Sequence, residues 1–261
     1  GNVTGAGDLI KLGTNTQVFS GVNGLTGTVD VNAGTLRITG TIAATDLETA
    51  AAGTLETDGA ALVNTAVVTN AGTLRITAGT ETINAVNGAG TVDLAAGNLT
   101  LAGVSSTISG AITGSGTLTV DAAADGDATG GATVVLSGDS SAFTGTTQVT
   151  EGTLQVTATG NLGGAVNVAT LGLLQLQGGT LGGTLTNTGG EVQARGTISG
   201  NVVNNNVGAG GGADEGIFAT TGDLTFTPGA TRTFTNAGTV TVTNALGSGI
   251  LETGALLGYL P

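Results

Sequence analysis

The 261-residue chain contains no cysteine, histidine, methionine or tryptophan, and only 2 prolines. Without cysteine, disulfides and thiolate metal sites are excluded. Without histidine the usual general base, the Ser-His-Asp and Cys-His nucleophile arrangements and the commonest zinc ligand are excluded too. The lack of cysteine also suits a chain that must stay unfolded while crossing an oxidising periplasm. Cations are scarce: Lys11, Arg37, Arg75, Arg195 and Arg232 stand against 18 acidic residues, for a net charge of −13. Five cations spread over the whole chain assemble no basic patch, so neither nucleic acid nor an anionic membrane surface is an expected partner. The acids are scattered and read as a solvated surface. No apolar run approaches the ~20 residues of a spanning helix, so no membrane span is expected in this segment. The sequence opens at Gly1 with neither Met nor a signal peptide, as a processed product or an excerpt of something longer would.

What the chain has in abundance is glycine, 50 residues of it, placed with a period. Gly-Thr-Leu opens at Gly34, Gly53 and Gly72, and Gly-Thr-Val follows at Gly90. The phrase continues as Gly116-Thr-Leu-Thr-Val120, Gly152-Thr-Leu-Gln-Val156, Gly172-Leu-Leu-Gln-Leu176, Gly222-Asp-Leu-Thr-Phe226 and Gly238-Thr-Val-Thr-Val242. Each alternates small or polar with apolar residues, the pattern of a strand with one buried face, and helical spacing is missing. A short β phrase recurring roughly every 19 residues predicts a solenoid whose coils lie on one another. The leucine and asparagine pattern of leucine-rich repeats is missing. The expected fold is therefore an all-β parallel β-helix, one repeat domain over 1–261. At ~19 residues per rung it would hold roughly 13 or 14 rungs and reach on the order of 65 Å. With 39% hydrophobic but only 2% aromatic residues, its core should be thin stacks of Val, Leu, Ile and Ala.

The period aligns more than leucines. Three residues after the successive glycines stand Arg37, Glu56, Arg75 and Asp93, so stacking would form a ladder of alternating charge. Such a ladder penalises a slip by one rung, because like charges one strand apart repel. Leu36, Leu55, Leu74 and Val92, one position earlier, should stack as an interior column.

Candidate chemistry is thin. Glycan-active enzymes need paired carboxylates or a calcium ion with a cationic base. The available pairs are Asp46 with Glu48, Glu56 with Asp58, and Asp214 with Glu215. Sugar platforms use aromatic rings, whereas most of the phenylalanines here sit in strand phrases as core or rod-end residues. An insertion near 121–132 carries Asp121, Asp125 and Asp127, three carboxylates around a glycine that form a calcium candidate, though at a spacing matching neither known calcium loop. A second irregular stretch, 204–216, is too glycine-rich to hold a strand. Its Gly208, Gly210 and Ala213 mimic a dinucleotide fingerprint without the required βαβ context. Recognition is commonly placed on such excursions. No cofactor is expected beyond that calcium candidate.

Two longer stretches share a pattern. Gly5-Ala-Gly-Asp-Leu-Ile-Lys-Leu12, Val18-Phe-Ser-Gly21, Thr26-Gly27 and Val31-Asn-Ala-Gly-Thr-Leu36 align with Gly114-Ser-Gly-Thr-Leu118, Val135-Leu-Ser-Gly138, Thr144-Gly145 and Val149-Thr-Glu-Gly-Thr-Leu154. The phrase resembles the autotransporter-associated β-strand repeat of bacterial type V secreted passengers. The resemblance implies a right-handed parallel β-helix displayed at, or released from, a Gram-negative surface. Adhesins, stalks, proteases, lipases and toxins all use such passengers. The expected function is thus an extended adhesin or stalk scaffold without an active site. Alternatives are a self-assembling fibre or surface-layer subunit and a glycan-active enzyme. Expected partners are a host or bacterial surface protein or glycan, or further copies of the chain meeting through β-helix ends or faces.

Overall fold

The computed structural model describes residues 2–59, 61–122, 131–205, 217–226, 234–236 and 239–242. Among them every regular element is a strand, and none is a helix. The strands form parallel ladders, pairing with strands one turn earlier, one turn later or both. This is a parallel β-solenoid of about ten turns.

Each turn visits three faces. The first carries short strands such as Val22–Leu25, Thr80–Ile83, Asn98–Leu101 and Thr117–Asp121. The second carries Leu9–Lys11, Val67–Asn70, Ala85–Gly88 and Thr133–Leu136. The third carries Thr16–Phe19, Thr73–Ile76 and Thr91–Leu94. Longer strands, including Val29–Ile38, Asp46–Thr57 and Thr146–Thr157, run round the corner between two faces. Register shifts at Val31/Ala33 and Val149/Glu151 absorb those corners, as bulges do in bent strands.

Alternation along each strand sends every second side chain inward, and in-register pairing stacks like on like. On the third face Leu36, Leu55, Leu74, Val92 and Ile112 pair in succession and all are fully buried. The second face stacks Val134, Leu154, Leu174, Val192 and Phe218 in the same way. Burial of one such branched side chain is worth roughly 1.5–3 kcal/mol, so long unbroken columns stabilise the rod without large aromatic groups. Phe143 and Phe218 lie fully inside, and Phe19 packs against the core from its edge.

The repeated glycines have a specific physical cause. Gly34 has φ 68°, a left-handed backbone that favours glycine. At Gly53 and Gly72 the reason is close approach: a Cβ there would press into backbone carbonyl oxygens of Val31 and Ala50 in the coil alongside. A side chain at either position would force neighbouring coils apart.

Turn length is less regular than the first repeats suggest. The steps from Leu36 to Leu55 and from Leu74 to Val92 are nearly equal, and that from Leu181 to Ile198 is a little shorter. The step from Ile198 to Phe226 is about half as long again. A constant period over all 261 residues would give the 13 or 14 rungs expected above; the described residues, which end at Val242, form about ten, and some of their turns are lengthened. Ser106 pairs with Val134, so the second face resumes in register after the segment between Asp121 and Thr133. Asn204 and Asn205 close the strand Val202–Asn205, where paired backbone holds both in the sheet, so the irregular stretch expected over 204–216 does not include them; its remainder, 206–216, lies outside the described residues.

Side-chain ladders as the candidate functional surface

The third face carries the charge ladder outward. Arg37 pairs in register with Glu56, Glu56 with Arg75, and Arg75 with Asp93. Arg37 Nε lies 3.1 Å from Glu56 Oε1, Arg75 Nε lies 3.2 Å from Asp93 Oδ2, and Arg75 Nη1 lies 4.0 Å from Glu56 Oε2. The arginines are about half exposed (46%), and the acids sit lower, at 15% for Glu56 and 25% for Asp93. Beside them runs a file of threonines, Thr16, Thr35, Thr54, Thr73 and Thr91, paired turn on turn.

Further along the rod, amides replace charges. On the outside of the second face Gln155 Nε2 donates to Gln175 Oε1 at 3.2 Å, and Gln175 Nε2 donates to Gln193 Oε1 at 3.1 Å. Gln193 Nε2 in turn donates to Glu191 Oε1 at 2.7 Å. Inside the first face, buried Asn187 donates to Asn204 Oδ1 at 2.8 Å, to Gly190 O at 2.9 Å and to Ile217 O at 3.1 Å. Its own Oδ1 accepts from Gly190 N at 3.0 Å, which ties the corner before Glu191 to the core.

Two buried charged groups belong to the same inward rows. Glu81 is fully buried, with Oε1 accepting from Leu62 N at 2.9 Å and Oε2 from Ala61 N at 3.1 Å. It supplies acceptors where the segment between Asp46–Thr57 and Val67–Asn70 contributes no strand to the first face. Burial pushes its carboxyl above the ordinary range despite those two N–H donors, and nearby Asp58 pushes the same way. At the first turn the Lys11 ammonium donates to the carbonyls of Leu12 (2.9 Å), Gly13 (2.8 Å) and Ala33 (2.9 Å). Period-2 alternation carries the signal for these residues: Glu81 shares parity with Ile83, Asn187 with Leu185, and Lys11 with Leu9. The outward charges stand out in the sequence, whereas polar residues of inward parity do not.

Asp46 and Glu48 are exposed on the second face, and Asp58 follows Glu56 beyond the buried Thr57. Asp121 ends the strand Thr117–Asp121 and pairs in register with Glu151. Asp125 and Asp127, like Gly208, Gly210, Ala213, Asp214 and Glu215, lie outside the described residues. No group of three or more Asp or Glu residues able to hold a metal ion occurs among the described residues. Exposed Asp139 has its pKa lowered by the hydroxyl and backbone N–H of Ser141, which cap it locally.

Comparison with known proteins adds one finding. The passenger-associated transport repeat matches residues 9–38 and 128–156. No curated protein and no solved structure matches the chain. The matched segments follow the turn: residues 9–38 run from the second face through the third and first and return to the second, where Leu9 pairs with Val29. The second match likewise brings Leu154 back beside Val134. Each match therefore spans one coil and the strand on which it lands. The chain is an all-β parallel solenoid that carries passenger-associated transport repeats, which are typical of autotransporter passenger regions and imply secretion to the Gram-negative cell surface or beyond.

Proposed function

We propose that this chain is an extended, non-catalytic scaffold within a bacterial passenger, serving as a stalk or adhesive surface. The observation that carries this reading is the use made of the charged and amide side chains. Arg37, Glu56, Arg75, Gln155, Gln175 and Asn187 bind the neighbouring turn rather than converging on a shared point. Catalysis needs convergent groups around a reacting atom. A stalk needs turn-to-turn cohesion along its whole length.

On this reading, recognition depends on the two insertions, 121–132 and 204–216, because the regular turns offer few of the aromatic and arginine side chains that dominate interfaces. The sheet resumes in register beyond each: Val134 pairs with Ser106, and Phe218 with Val192. Deleting residues 123–130 or 206–216 should therefore leave the β circular-dichroism spectrum intact and reduce attachment of cells displaying the chain. Unchanged attachment without both insertions would leave the chain a passive spacer. Turnover of a polysaccharide by the purified chain would overturn the non-catalytic reading.

A further inference from the structure

The charge ladder of the third face is antisymmetric. Along the rod, Arg37, Glu56, Arg75 and Asp93 run plus, minus, plus, minus, and the reversed order runs minus, plus, minus, plus. A two-fold axis perpendicular to the rod, midway between Glu56 and Arg75, would set Arg37 of one copy against Asp93 of the other. It would also set Glu56 against Arg75. All four facing pairs are then of opposite sign, and the arrangement closes on itself as an isologous dimer. Parallel docking in register would put like against like. A parallel offset of one turn would match only three charges and leave an open edge.

We propose that a second copy of this chain docks antiparallel on the third face, in the register that brings Arg37 to Asp93 and Glu56 to Arg75. The ladder sums to zero charge in a chain of net charge −13, so like-charged rods meet least repulsion there. Its arginine heads are half exposed beside the short side chains of Thr35, Thr54, Thr73 and Thr91. Each arginine already touches an acid of its own copy, so docking extends the alternation from a line into a two-dimensional lattice without leaving any charge unpaired. Asp58, near one edge of the face, comes opposite Thr77 of the second copy and meets no like charge. Because rods anchored on two facing surfaces run antiparallel, this contact would bridge surfaces. That consequence rests on the scaffold reading, whereas the contact itself rests on the ladder alone.

The test is fluorescence-detected sedimentation of the purified 261-residue chain. The wild type should dimerise at low ionic strength and bind itself about tenfold or more weakly in 0.5 M salt, where screening reaches only a few ångströms. The quadruple variant Arg37→Glu, Glu56→Arg, Arg75→Glu and Asp93→Arg keeps alternation within each rod and remains complementary to itself. It should therefore dimerise too, whereas wild type and quadruple variant are complementary to each other only in parallel, so a mixed pair should not cross-link between Thr35→Cys of one and Thr91→Cys of the other. The register is read separately with single cysteines, since the chain has none of its own. Mixed Thr35→Cys and Thr91→Cys chains should cross-link, whereas Thr35→Cys mixed with Thr54→Cys should not. Monomers at every salt concentration, 35–91 cross-linking between wild type and quadruple variant, or preferential 35–54 cross-linking within the wild type would each overturn the proposal.

Discussion

The turns between Thr35 and Asp93 and those between Gln155 and Asn204 solve the same problem with different chemistry. Both must fix which strand lies against which. In the first region the outward row alternates in sign, Arg37, Glu56, Arg75, Asp93, so its chemical repeat is two turns long. In the second, one residue type recurs every turn, Gln155, Gln175 and Gln193 outside and Asn187 and Asn204 inside. An amide donates and accepts at once, so it can stack on its own kind indefinitely. A charge cannot. The charge row therefore resists a slip of one turn, which an amide row would tolerate. The signed ladder sits where successive turns are nearly equal in length and slippage is geometrically easiest. The amide rows sit where the turns have become unequal, 20 residues from Gln155 to Gln175 and 17 from Asn187 to Asn204.

The largest effect should come from the buried amide. Replacing Asn187 by Ala strips partners from Gly190 N and Ile217 O and from the Asn204 amide, and should cost about 2–4 kcal/mol in chemical unfolding. A loss below about 1 kcal/mol would mean that the inward amides are incidental, and the contrast between the two regions would narrow to surface chemistry.

The buried carboxylate of the first region should reveal itself through pH. Because the folded pKa of Glu81 is raised, the folded state holds its proton more tightly than the unfolded chain does. Its contribution is fully present below the unfolded pKa and is lost as pH rises through the folded one. Stability of the wild type relative to Glu81→Gln should therefore increase as the pH is lowered from neutral through the carboxylate range. The measurement is urea unfolding of both proteins across that range, and a difference independent of pH would show that Glu81 is not titrating from a buried position.

Smaller effects separate the two outward rows. Glu56→Lys places three cations in line and should destabilise by about 1 kcal/mol or less, because the arginines are half exposed. Gln175→Ala should cost a similar amount, about 0.5–1.5 kcal/mol. Salt distinguishes them. Raising ionic strength should erase most of the Glu56→Lys penalty and leave that of Gln175→Ala unchanged.

Much of this contrast can be traced to the sequence, and the part that cannot has a physical reason. The parallel solenoid and its leucine column follow from Gly34, Gly53 and Gly72, because their spacing equals one turn and alternation sets which residues face in. The charge row follows from the same arithmetic. The number of turns does not, since the coil from Ile198 to Phe226 is far longer than the one from Leu181 to Ile198. Glu81 and Asn187 were hidden for a different reason. Their parity marks them as inward, but their partners, the strandless Ala61 and Leu62 in one case and Gly190 and the strand-opening Ile217 in the other, are brought to them by a backbone course that no local pattern encodes.

The central claim is that residues one period apart lie side by side on adjacent turns. With no native cysteine, it can be read directly by intramolecular disulfide formation in dilute, high-salt solution. Thr54 and Thr73 are register partners, so their Cα atoms stand about 4.8 Å apart, within bridging range, whereas Thr54 and Thr91 are two turns apart at about twice that. The double variant Thr54→Cys with Thr73→Cys should oxidise to an internally bridged monomer, and Thr54→Cys with Thr91→Cys should retain free thiols. Bridging of the 54–91 pair in preference to 54–73, or of neither pair, would contradict the account.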